Sequence, residues 1–128
     1  MKEPVWVLRE VVFMLHEQSL AQFGGSPALR DEGLLDSALG KPQNLCAYGK
    51  PSVFDLAASY GFGLVKNHPF IDGNKRAGFV GAVLFLELNG YQFQATEVEA
   101  ALRTLALAAG EMSEAAYAAW LKANSKRT

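Results

Sequence analysis

The stretch Asn67-His68-Pro69-Phe70-Ile71-Asp72-Gly73-Asn74-Lys75-Arg76 separates two strongly apolar runs and decides how both are read. On its N-terminal side, Val53 to Asn67 carries Phe54, Leu56, Ala57, Ala58, Tyr60, Phe62, Leu64 and Val65, apolar almost all round. A helix of that kind sits centrally, with neighbours on several sides. Pro69 ends it, because proline disfavours helical geometry in the residue before it. On the C-terminal side a helix starts near Gly73 or Asn74 and runs to Leu88, with Val80, Val83, Leu84 and Leu86 covering much of its surface. Asn89-Gly90 is its stop signal.

Working outward, the remaining apolar residues also recur mostly with helical period. Leu8, Val11, Val12, Leu15 and Phe23 form the stripe of a first helix, stopped by Gly24-Gly25-Ser26-Pro27. Asp31 and Glu32 suit the first turn of a short helix with Leu34, Leu35, Ala38 and Leu39 on its apolar face, ended by Gly40 and Pro42. Lys41 to Ser52 reads as loop with room for a small hairpin. Tyr91 to Gln94 alternates as a short extended piece. Thr96 and Glu99 have capping-box spacing for a helix through Leu102, Leu105 and Leu107. Ser113 caps a last helix containing Tyr117, Trp120 and Leu121, and the polar tail Lys122 to Thr128 frays. The expectation is an all-α bundle of about six helices.

The chemistry concentrates in the opening stretch. Lys75 and Arg76 would stand in a first helical turn, where cations oppose the macrodipole. An anion bound there offsets that placement. The turn offers free backbone N–H groups, Gly73 lets backbone approach a ligand closely, and Asn74, Lys75 and Arg76 add donors, which together describe a phosphate site. His68 is suited to proton transfer near neutral pH. Asp72 supplies a hard oxygen for Mg²⁺. Phe70 would anchor the loop in the core, leaving His68 and Asp72 to point outward. Elsewhere the simpler readings are structural. Gly61-Phe62-Gly63 is a helix-packing feature, His16, Trp6 and Trp120 are packing residues, and Lys50 and Lys66 are solvated charges.

With 128 residues, half of them apolar and a fifth charged, one soluble domain over 1–128 is expected. Twelve Lys and Arg against thirteen Asp and Glu give a net charge of −1, which argues against direct DNA binding through overall charge. Cys46 is the sole cysteine, so an intramolecular disulfide and a Cys-based zinc cluster are excluded. Met1-Lys2-Glu3-Pro4 lacks the apolar run of a secretory leader, and no run approaches the ~20 residues that span a bilayer. A cytoplasmic protein without membrane partners is expected.

The string H-P-F-I-D-G-N-K-R resembles the signature of the Fic/Doc superfamily, H-x-F-x-(D/E)-(G/A)-N-(G/K)-R. Phe23-Gly24-Gly25, the run Arg30 to Leu39 and the run Leu84 to Tyr91 extend the resemblance, closest to the death-on-curing (Doc-like) branch. The resemblance implies a Fic-type helical core with a small β-hairpin flap, placed here within Asn44 to Ser52. It implies His68 as general base toward a target hydroxyl and Asp72 as holder of Mg²⁺ on a nucleoside triphosphate such as ATP. It further implies an anion hole of Gly73, Asn74 and Lys75, with Arg76 binding phosphate and stabilising charge in transfer. AMP-transferring members have glycine at the Lys75 position and a second arginine at that of Phe79. Lys75 therefore matches Doc-like proteins, which transfer the γ-phosphate, whereas Gly73 is the AMP-transferase choice. No (S/T)-x-x-x-E-(G/N) inhibitory string is present; Ser113 to Tyr117 and Thr96 to Ala100 both fail at the glutamate. The resemblance thus implies a toxin restrained in trans by a small antitoxin and acting on a protein of the translation machinery. The alternatives are protein AMP transfer by the same site and a non-catalytic binding module of the same fold.

Overall fold

In a computed structural model, residues 3–128 are described; Met1 and Lys2, which enter the leader argument, lie outside them. The central helix α3 (Val53–Asn67) begins at Ser52, whose hydroxyl accepts from Asp55 N–H while the Asp55 carboxylate accepts from Ser52 N–H. This reciprocal cap satisfies donors that a helix start leaves open. Tyr60, Leu56 and Leu64 are fully buried, as the all-round apolar pattern predicts. α3 packs against α2 (Glu32–Tyr48), α4 (Asn74–Leu88), α5 (Glu97–Ala108) and α6 (Glu114–Ala123), and α1 (Arg9–Phe23) lies on α4. The glycines of α3 are contact surfaces. A Cβ on Gly63 would come within 3.2 Å of Ala38, and one on Gly78 within 2.9 Å of the Gly61 carbonyl, so α3 and its neighbours cross at backbone distance.

Among the described residues there are six helices and one two-stranded antiparallel sheet, the strands being β1 (Tyr91–Phe93) and β2 (Ser125–Arg127), with Tyr91 opposite Arg127. The small sheet lies elsewhere than expected. No hairpin forms between Asn44 and Ser52: α2 runs through buried Pro42 to Tyr48. A proline inside a helix costs about 3 kcal/mol by local rules, yet packing of α2 along α3 carries the helix past it. The tail is likewise not frayed, because Ser125 to Arg127 pairs with β1.

The first helix follows its expected line only in the middle. Val12, His16 and Ser19 are buried, one turn apart, whereas Leu8 and Phe23, on the same line, are 62% and 61% exposed. Both ends of the stripe overrun the core. Thr96 accepts from Glu99 N–H as expected, but the Glu99 carboxylate accepts from Trp120 Nε1 at 2.9 Å instead of closing a box.

Candidate active site

Between α3 and α4 the chain makes its sharpest local departure. His68 sits at φ 49°, ψ 54°, the one non-glycine residue with positive φ among those described. Such a conformation costs on the order of 1–3 kcal/mol and persists only where surroundings fix it. They do so here. Arg30 Nε donates to the His68 carbonyl at 2.6 Å and Arg30 Nη2 to the Asn67 carbonyl at 2.8 Å. Arg30 N–H and Asp31 N–H both donate to the Pro69 carbonyl, and Ile71 N–H to that of Ala28. The segment 28–31 thus forms a rail along the loop.

Beneath the loop, Phe70 is fully buried and stacks on the His16 ring at 3.7 Å between centroids, with Phe13 edge-on at 5.8 Å. His16 Nε2–H donates to the Asp72 carbonyl at 2.7 Å, so its role is structural and it supports the loop from below. Asn74 is buried. Its Oδ1 accepts from Phe70 N–H, and its Nδ2 donates to the Phe70 carbonyl and, at 3.3 Å, toward His68 Nδ1. The two Phe70 bonds fix the amide orientation, so His68 Nδ1 is the acceptor and the neutral ring carries its proton on Nε2. The Asn74 side chain is therefore committed to the loop and to His68, and what it offers an anion is its backbone N–H.

The N–H groups of Asn74, Lys75 and Arg76 precede the first bond of α4, from Ala77 N–H to the Gly73 carbonyl at 2.9 Å, and no side chain caps them. Free donors at a helix start, with two cationic side chains beside them, are chemically suited to an anion and make this the candidate anion site. Gly73 adopts φ 81°, and a Cβ there would meet the His16 ring at 3.3 Å. Glycine at this position is thus explained by backbone geometry and packing alone, which weakens its value as a mark of AMP transfer. Lys75 is exposed, and the Arg76 guanidinium lies 4.8 Å from the centroid of the Phe23 ring.

Asp72 is exposed. One oxygen, Oδ2, accepts from Ser26 N–H at 2.8 Å, and Oδ1 makes no hydrogen bond to the described residues. No cluster of three His, Cys, Asp or Glu capable of holding a metal occurs among the described residues. A single fixed carboxylate beside an anion site suits Mg²⁺, which takes one or two carboxylates plus phosphate oxygens and water.

Lys75 and Arg76 border a largely apolar cleft of about 570 Å³, walled by Leu20, Phe23, Phe79, Phe93 and Leu105. Phe79, at the place of the second arginine, packs edge-on against Phe93 at 5.7 Å, so this wall offers no cation. His68 and Asp72 do not line the cleft; they stand on the exposed side of the same loop. Lys66 donates to the Ala108 carbonyl at 3.2 Å. A second hollow, of about 510 Å³ beside Lys50 and Glu114, contains none of the motif residues. Arg30 supports the loop through the fold alone, and nothing in periodicity or charge distinguishes it in the sequence from a solvated residue.

A profile of the Fic/DOC family matches residues 6–86. The chain belongs to the Fic/Doc family. Within it, Protein kinase doc of Escherichia phage P1 is 33% identical over 115 residues, covering 88% of this chain and 90% of that protein. Toxin Doc of Mycolicibacterium smegmatis (strain ATCC 700084 / mc(2)155) is 43% identical over 76 residues, 57% of this chain and 58% of that protein. The chain is a Doc homologue at moderate identity.

Proposed function

We propose that this protein transfers the γ-phosphate of ATP to a hydroxyl of a target protein. The observation that carries the proposal is the juxtaposition, on one hydrogen-bonded loop, of an exposed imidazole, a fixed carboxylate and an uncapped helix start with Lys75 and Arg76 in its first turn. The similarity over most of the chain to a relative named as a protein kinase supports it. The target oxygen attacks the γ-phosphorus, the bond from that phosphorus to the β-bridging oxygen breaks, and ADP leaves. His68 accepts the hydroxyl proton. Acceptance needs the Asn74 Nδ2 bond to Nδ1 released, so that one ring nitrogen is free to take the proton. Asp72 would hold Mg²⁺, which neutralises phosphate charge when bound. The α4 N–H groups hold the phosphate oxygens, and Lys75 and Arg76 balance the charge that shifts during transfer.

The relative named Toxin Doc supports a toxin role. A small antitoxin is its partner in trans, the target belongs to the translation machinery, and the site of action is the cytoplasm. The test uses ATP labelled at either the α- or the γ-phosphorus, with Mg²⁺ and a bacterial lysate. The expected result is protein labelling from the γ position alone, lost in His68→Ala. Labelling from the α position would establish AMP transfer instead. His68-independent labelling, or none, would contradict the proposal and favour a binding module.

A further inference from the structure

We infer that Arg30 is a positioning residue for His68, an inference that rests on His68 being the base. The loop carries one residue in the left-handed region, and it is the imidazole-bearing one. Its peptide is not held by the regular ladder of α3, which ends at Asn67. Three successive carbonyls, those of Asn67, His68 and Pro69, are left to find other donors, and all three find them on Arg30. Nη2 takes the first, Nε the second and the backbone N–H the third, at 2.8, 2.6 and 2.6 Å. Asp31 N–H shares the third.

The geometry requires arginine in particular. Nε and Nη2 belong to one rigid plane, so one side chain can span two consecutive carbonyls with fixed spacing, which an ammonium on a flexible stem does not reproduce. The positive charge also faces the C-terminal end of α3, where the helix dipole and its free carbonyls favour a cation. Arg30 makes no contact with the anion site, which is supported separately through His16 and the Asp72 carbonyl. The loop is therefore held at both ends, with the Asn74 amide on Phe70 and His68, the Ala28 carbonyl on Ile71 and the Ser26 N–H on Asp72 as further ties. Arg30 fixes the end that carries the base, and His16 the end that carries the phosphate donors and the carboxylate.

This division predicts a split in the kinetics. Arg30→Gln should lower the maximal rate of γ-phosphate transfer by about tenfold to a hundredfold, the range expected when a reacting group is misplaced by about an ångström. KM for ATP–Mg²⁺ should stay within about twofold, because the phosphate end is untouched. Arg30→Lys should fall between Gln and wild type. In a His68→Ala background, Arg30→Gln should cause no further loss, since there is no imidazole left to position. Equal rates for Arg30→Gln and wild type, or the same fractional loss with and without His68, would overturn the inference.

A structural readout is made in parallel by NMR. The His68 three-bond H^N–Hα coupling and its Cα shift report the left-handed backbone conformation directly. That signature should be present in wild type and altered in Arg30→Gln, while ATP–Mg²⁺ still shifts the amides of α4. An unchanged His68 signature in Arg30→Gln would overturn the inference even if no turnover were found. His68-independent or absent turnover in wild type, with the NMR result as expected, would instead remove the proposed function and leave Arg30 as the support of the strained residue.

Discussion

Gly73 shows how a single position can be legible for one reason and informative for another. The sequence presents it as part of an anion hole and as a mark of one reaction over another. Its φ of 81° and the His16 ring 3.3 Å from where a Cβ would stand account for glycine without reference to the reaction. Gly73→Ala should therefore lower stability by about 1–2 kcal/mol through left-handed strain. It should also weaken ATP–Mg²⁺ binding, because the α4 donors move with Gly73. Denaturant titration and calorimetry check both; wild-type values in the variant would mean that the backbone here is freer than its geometry implies. Asn74 is the converse case. It reads as a phosphate donor, but the structure turns its amide onto Phe70 and His68, leaving only its N–H for a ligand.

At the scale of elements, α3 carries the loop and is itself fixed at its start by Ser52 and Asp55. Ser52→Ala removes one half of this cap and should cost about 1 kcal/mol. The expected observation is a lower denaturation midpoint with unchanged slope and unchanged KM for ATP, since the cap lies at the far end of α3 from the loop. An unchanged midpoint would mean that packing alone fixes the helix start. The same element explains what the sequence revealed and what it hid. Val53 to Asn67 and Asn74 to Leu88 were legible because their apolar residues cover nearly all faces, so no local signal competed with burial. The second half of α2 was not, because Gly40 and Pro42 are genuine local breakers that contact with α3 overrides. β2 was not, because Ser125-Lys126-Arg127 has no strand composition and is extended only where β1 supplies a partner. In the site, the chemistry-bearing side chains were legible as a string. Their supports, Arg30, His16 and the Ser26 N–H, were not, because they meet the loop only through the fold.

For the molecule as a whole, the core holds phenols that bind their protons more tightly than free tyrosine does. Burial pushes Tyr117 up to about 12, with its hydrogen bond to Thr104 acting in the opposite direction, and burial raises Tyr60 as well. The unfolded chain releases a tyrosine proton near pH ~10. The contribution of Tyr117 is therefore complete below about pH 10 and lost as pH rises toward 12, by about 2–3 kcal/mol over that window. Denaturation midpoints should fall over this range, and less steeply in Tyr117→Phe; identical slopes in the two proteins would contradict the assignment. Intact-mass spectrometry of the modified target distinguishes phosphoryl from adenylyl transfer. Target protein recovered after incubation with ATP, Mg²⁺ and wild-type protein should gain the mass of one phosphoryl group, and none with His68→Ala. A gain equal to an adenylyl group, or a phosphoryl gain that persists without His68, would contradict the account.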